Sequence, residues 1–264
     1  MKSLFLSLWF YRDFVSGSVK REFQSKYRNS MLGAAWTVLQ PLAMIVVYTV
    51  IFSQIMRARL PGIDSRFAYS IYLCAGLLTW GLFAEIIGRA QNMFIDSANL
   101  LKKISFPRLT LPIIIVLSAL VNFAIIFGLF TGFLLISGTF PGWTYLALFP
   151  ILMVQIVFSI SLGVIIGVLN VFFRDVGQFF TIILQFWFWL TPIVYPIDIL
   201  SEQLRHYMSF NPMLVFISAY QGILVTGTVP DWQNFIWVTI ISLVLCVFGY
   251  RLFRKRSGEM VDEL

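Results

Sequence analysis

Residues 26–50 read KYRNSMLGAAWTVLQPLAMIVVYTV, and this stretch decides what kind of molecule the chain forms. A basic, polar run passes through Leu32–Gly33 and Trp36 to Gln40–Pro41 and then into an apolar segment. A helix rising about 1.5 Å per residue needs about 20 apolar residues to cross a ~30 Å hydrocarbon core. The segment is long enough, and the basic side of the boundary marks the cytoplasmic face.

Composition agrees. Of 264 residues, 59% are hydrophobic and 12% charged, whereas a soluble domain carries about 25% charged residues. The charge sits between long apolar runs, and the apolar–polar alternation of an outer-membrane barrel is absent. The expected fold is an all-α polytopic membrane protein with six transmembrane helices, at roughly 32–56, 67–88, 109–137, 143–171, 177–194 and 233–252. The third and fourth exceed the length needed, while the fifth is marginal and ends at Pro192 and Pro196.

With the N-terminus inside, fifteen of the nineteen Lys and Arg residues fall in cytoplasmic segments. Only Arg57, Arg59, Arg66 and Arg205 lie outside, so both termini are expected in the cytoplasm. The net charge of +7 is thus mostly a topology signal. Its dispersal over four inner segments argues against a nucleic-acid partner. Cys74 and Cys246 belong to the second and sixth spans, near opposite membrane faces, and are expected as packed thiols rather than a disulfide. The apolar run Leu4–Tyr11 leads into Arg12–Asp13 instead of a small-residue cleavage site, so no cleavable signal peptide is expected.

Two parts divide the chain. Residues 1–31 form a cytoplasmic amphipathic interface region, in which Leu4, Leu8, Tyr11 and Val15 follow helical spacing and the basic residues suit anionic lipid. A plain membrane anchor accounts for it equally well. Residues 32–264 form the transmembrane domain. Its one sizeable cytoplasmic loop, RAQNMFIDSANLLKKISFPR at 89–108, carries a short helical pattern through Phe94, Ile95, Ala98 and Leu101. Such an element docks on a soluble partner or merely connects spans. On the outer side, Pro192, Pro196, Pro212 and Pro230 divide residues 191–233 into two short helical pieces. Residues 213–225 are apolar but too short to span, as in a re-entrant segment.

Catalytic equipment is sparse. His206 is the single histidine, and no lysine directly follows a glycine, so no Walker A loop exists. No internal repeat is visible, which weighs against repeat-built secondary transporters. Glu85 is the carboxylate inside an apolar run, with Arg89 at i+4; it is either half of a local pair or a proton relay. Arg174–Asp175 reads as a second local pair. Gln178, Thr181, Gln185 and Trp189 share one face of the fifth span. Such a face bonds another helix or lines a wet pathway. Trp187, Trp189 and Tyr195, like Trp36, Gln40 and Tyr48 on the first span, form an interfacial belt or line a sugar path.

Two motifs carry a family resemblance. YRNSMLGAAWTVLQP at 27–41 resembles the signature at the first span of ABC-2 type permeases that export polysaccharides, and NLLKKISFPRLTLP at 99–112 resembles their segment between spans two and three. The likeness covers nearly the whole chain and is strongest to O-antigen exporters, with capsule and teichoic acid exporters close; a drug or lipid exporter of the same fold is the alternative. It implies a channel-forming permease, not an enzyme, that works as a homodimer with two copies of a separate cytoplasmic ABC ATPase. The ATPase chain, not this one, would bind ATP and Mg. It implies an undecaprenyl diphosphate-linked polysaccharide as cargo and the cell inner membrane as location. By position, Asn99, Leu100, Leu101, Lys102, Lys103, Phe106 and Pro107 would form the ATPase-coupling element. Arg28, Ser30, Gly33, Trp36, Gln40 and Pro41 would form the inner-gate motif, and residues 196–226 the two outer gate helices. No metal site and no bound cofactor are expected.

Overall fold

The computed structural model describes residues 11–26, 33–55, 60, 67–103 and 108–263, and the regular elements among them are all helices. In chain order these are α1 (Arg12–Lys26), α2 (Trp36–Thr49), α3 (Ala68–Ala90), the short α4 (Met93–Asp96) and α5 (Ala98–Lys103), and α6 (Thr110–Ile136). There follow α7 (Leu148–Phe172), α8 (Asp175–Trp189), α9 (Glu202–Met208), α10 (Pro212–Gln221), α11 (Trp232–Arg256) and α12 (Glu259–Glu263).

Among the described residues four helices are long and apolar enough to cross a bilayer, and a pair of shorter ones bent by 105°, Glu202–Met208 with Pro212–Thr226, raises the number to five. The fifth expected span is shorter than the sequence suggests, whereas the first is helical across the described residues 33–55. Its α-helix Trp36–Thr49 continues as a π-helix at Val50–Ile55. It opens on a 3-10 turn at Gly33–Ala35, where Gly33 takes φ 49°, a conformation that a side chain disfavours. The fifth was expected over 177–194 but is helical only to Trp189. Beyond Leu190 the chain bends through 191–195: Pro192 has no N–H to continue the helix, and side chains of other helices take up the carbonyls of the bend.

Helices α3 and α7 form the centre. Of the most apolar stretch of each, 61% is buried inside the molecule, against 28% for α6 and 22% for α11. Helix α3 packs between α6 and α7; α11 lies along α7, α2 beside α6, and α10 against α3. The closest approach is at Gly163 and Gly167 of α7, one turn apart. A Cβ at Gly163 would lie 2.5 Å from the Ala90 Cβ, and one at Gly167 2.5 Å from the Ala90 carbonyl oxygen. Small residues four apart let helix backbones meet where lipid supplies no hydrophobic drive. Polar side chains then tie the pair: buried Gln155 of α7 donates to the Thr79 carbonyl of α3 at 2.8 Å.

The outer faces are apolar. Ile236, Ile240, Val244 and Phe248 of α11 are exposed, as a lipid-facing surface requires. Cys74 is buried, but Cys246 lies on this exposed face; neither is in a disulfide. The expectation of two packed thiols therefore fails for Cys246, because α11 presents that side to no other helix.

Candidate functional site

Helix α8 exposes a polar stripe. Gln178, Thr181, Gln185 and Trp189 are all exposed, while Gly177, Val176, Phe180, Leu184 and Trp187 turn toward the rest of the chain. Asn170 fixes the placement of this helix. Its Nδ2 donates to the Gln91 carbonyl (2.8 Å) and to Asn92 Oδ1 (3.0 Å), and its Oδ1 accepts from the Gly177 amide (2.9 Å). The Gly177 amide is one of the first-turn donors that a helix leaves unpaired, and the residue before the helix, Arg174, supplies no side-chain cap. One buried amide thus caps α8 and ties it to the end of α3. Gln91 adds a 3.3 Å bond to Thr181 Oγ1. Arg174 and Asp175 are both exposed, and no ion pair joins them.

Trp187 parts company with the stripe. Its Nε1 donates to Asn211 Oδ1 at 2.8 Å, and its ring packs edge-on against Phe83 at 5.2 Å. Asn211 also caps α10 through the Met213 amide and donates to Thr191 Oγ1. The non-helical run 191–195 is held by its carbonyls: Tyr69 donates to Val194 (2.6 Å), Tyr72 to Tyr195 (3.0 Å), and Gln221 to Ile193 (3.4 Å). Irregular backbone at membrane depth persists only with such partners. Tyr195 itself donates to the Trp189 carbonyl at 2.9 Å, and partial burial raises its phenol pKa above the ordinary value.

On the other side of the molecule, Trp36, Gln40, Pro41 and Tyr48 of α2 line a cavity of about 370 Å³ with Cys74 and Asn122. Four of the inner-gate and lining residues thus share one wall. Gly33 lies at the approach to it, and Arg28 and Ser30 lie outside the described residues.

Glu85 is engaged rather than isolated. Arg89 approaches Glu85 at 3.6 Å, as the i,i+4 spacing suggested, but it approaches Glu22 of α1 at 2.5 Å. Ser118 donates to Glu22 (2.8 Å) and Asn122 to Glu85 (2.8 Å). One guanidinium therefore joins α1 to α3, with α6 supplying the hydroxyl and the amide.

At the end of the molecule bearing α4 and α5, Asn99 and Lys102 are exposed while Leu101 is buried. Leu100 is half-buried; the Lys103 side chain, Phe106 and Pro107 lie outside the described residues. This segment rests on the chain's C-terminal end. Phe94 stacks on Phe253 with ring centroids 5.5 Å apart, and Arg108 donates to the Ser257 carbonyl. The arrangement presents a small polar knob backed by an apolar seat.

Residues 15–225 match the ABC-2 type transporter family. The chain belongs to that family. This ABC-2 chain is 31% identical to the O-antigen export system permease protein RfbA of Myxococcus xanthus over the full length of both. It is 27% identical to the protein of the same description from Klebsiella pneumoniae, covering 98% of this chain and 97% of that one. The polysialic acid transport protein KpsM of Escherichia coli is 22% identical, over 91% and 92%.

Sequence reading of the ABC-2 chain missed four things: Asn170, the Gly163–Gly167 contact, the Glu22–Arg89 pair, and the Tyr69, Tyr72 and Gln221 clamp. The glycine spacing was visible in GVIIG at 163–167. The others join residues far apart in sequence, and no local pattern announces them.

Proposed function

We propose that this chain is the membrane-spanning subunit of an ATP-driven exporter that moves an undecaprenyl diphosphate-linked polysaccharide of O-antigen type across the inner membrane. Two copies form the channel, with two copies of a separate ATPase docked on α5 from the cytoplasm. Both termini are cytoplasmic, six segments span, and α9 with α10 forms the re-entrant outer gate. The observation that carries this reading is similarity to an O-antigen export permease, at 31% identity over the full length of both sequences.

The geometry gives it physical support. A polar polymer needs partners for its hydroxyls, because each one left unpaired in hydrocarbon costs several kcal/mol. Gln178, Thr181, Gln185 and Trp189 face out of the single chain, which is costly against lipid but suited to a wet path between two copies. The family matching includes a capsule-type relative at 22% identity, so a capsular polymer is the second reading. A proton-driven mechanism is disfavoured, because Glu85 is held by both Arg89 and Asn122.

The test is made in cells lacking the gene. Restoring the chain together with its candidate ATPase returns polymer to the cell surface, and its loss strands lipid-linked polymer on the inner leaflet. A Lys102→Ala/Lys103→Ala variant leaves the chain folded but lowers ATPase co-purification and polymer-stimulated hydrolysis. Normal surface polymer without the chain, or unchanged ATPase association in the variant, refutes the proposal.

A further inference from the structure

Helix α1 does more than lie on the membrane surface: it makes a groove with α6. Its row Val15, Val19 and Phe23 faces the row Ile113, Leu117 and Val121 of α6, and between them lies a cavity of about 590 Å³. Both rows step by four residues, so each forms a straight apolar wall along its helix. Leu117 and Val121 remain exposed, at 40% and 42%; the cavity opens outward rather than into the core.

The rim of this groove is cationic. Arg12, Ser16 and Lys20 also step by four and line the same cavity. Arg12 and Lys20 sit about 12 Å apart along the axis, with the Ser16 hydroxyl midway. Arg12 additionally lies 3.7 Å from Asp13, a carboxylate that is almost wholly exposed. Basic groups above an apolar slot match an anionic headgroup above an acyl chain. The position along α6 fits as well: residues 113–121 lie in the first half of a helix that begins at Thr110, next to the basic Arg108. That is the depth at which a headgroup meets its chain. The groove is held open by the Glu22 contacts to Arg89 and Ser118, which anchor α1 one side-chain row away.

We propose that the α1–α6 groove binds one anionic glycerophospholipid of the surrounding bilayer. Its phosphate sits over the Arg12–Ser16–Lys20 row, and one acyl chain lies between the two apolar rows. Basic pockets beside spanning helices recognise anionic lipids in this way. The proposal does not depend on which polymer the exporter carries.

The full-length chain is placed in nanodiscs of phosphatidylethanolamine doped with phosphatidylglycerol carrying a photoreactive group on its acyl chain. Adducts are mapped by mass spectrometry, with the matching phosphatidylcholine probe as comparison. Phosphatidylglycerol labels peptides covering 15–23 and 113–121, and phosphatidylcholine does not. Each basic residue near an anionic lipid contributes a factor of about five, so Arg12→Gln/Lys20→Gln cuts labelling by about 25-fold. Lys20→Arg retains it, and Leu117→Trp blocks it by filling the groove while thermal melting stays at the wild-type value. Equal labelling by the two probes, or unchanged labelling in the double variant, overturns the proposal. Displacement of the probe by stoichiometric prenyl diphosphate also overturns it, because the site would then belong to lipid-linked cargo.

Discussion

Replacing Asn170 by Ala removes three hydrogen bonds at once, to the Gln91 carbonyl, Asn92 Oδ1 and the Gly177 amide. Inside membrane proteins such bonds average about 0.6 kcal/mol each, which gives about 2 kcal/mol for the three. That is about a 30-fold loss in the folded-to-unfolded ratio. The same residue also makes a steric prediction. A Cβ at Gly177 would lie 2.8 Å from Asn170 Oδ1 and 2.9 Å from its Nδ2, so Gly177→Ala overpacks the wild type at a cost of about 1–3 kcal/mol. In the Asn170→Ala background the obstructing amide is gone, and Gly177→Ala becomes neutral or mildly stabilising through its better helix propensity. The four proteins of this cycle are compared by reversible unfolding in mixed micelles. The expected coupling exceeds about 1 kcal/mol. If the two substitutions add to within about 0.5 kcal/mol, then Asn170 is not the clamp that seats α8.

Two further outcomes concern the helix contacts and the polar face of α8. Gly167→Leu drives a side chain into the Ala90 carbonyl and abolishes accumulation of folded protein. Gly132→Ala, where nothing lies within 4 Å of the added Cβ, keeps or raises stability; equal melting temperatures for the two variants count against the packing account. A Gln178→Leu/Gln185→Leu variant removes polar groups from the outward stripe without touching the packed side of α8. It melts as wild type does, but its initial export rate falls about tenfold, the effect of roughly 1.4 kcal/mol of lost hydroxyl pairing on the path. Wild-type export would show that the stripe does not meet the polymer.

The sequence carried the helical class, the four long apolar helices, the short helical pattern at α4 and α5, and the family. All of these depend on hydropathy, on Lys and Arg placement, or on contiguous motifs such as residues 27–41 and 99–112. The length of α8 was less legible. Apolarity continues through Thr191–Val194, but Pro192 cannot supply the next helical N–H, and Tyr69, Tyr72 and Gln221, from two other helices, take up the backbone carbonyls there. The polar stripe on α8 was readable from its spacing, whereas the inward turn of Trp187 was not, since it depends on Asn211 twenty-four residues away. Glu85–Arg89 was found by its i,i+4 spacing. Its nearer companion Glu22 was hidden by distance along the chain.

That companion has a consequence for how the protein is made. Glu22 leaves the ribosome about 70 residues before Arg89. Ser118, its other partner, is later still. At roughly 5–20 residues per second, Glu22 waits seconds for its counterion, while α2 is already being handed to the membrane. Helix α1 therefore waits for partners in α3 and α6 that are made well after it. A ribosome stalled before the third span holds a nascent chain whose leading helix has no berth, and a protease added then would cut α1 while sparing it in the finished protein.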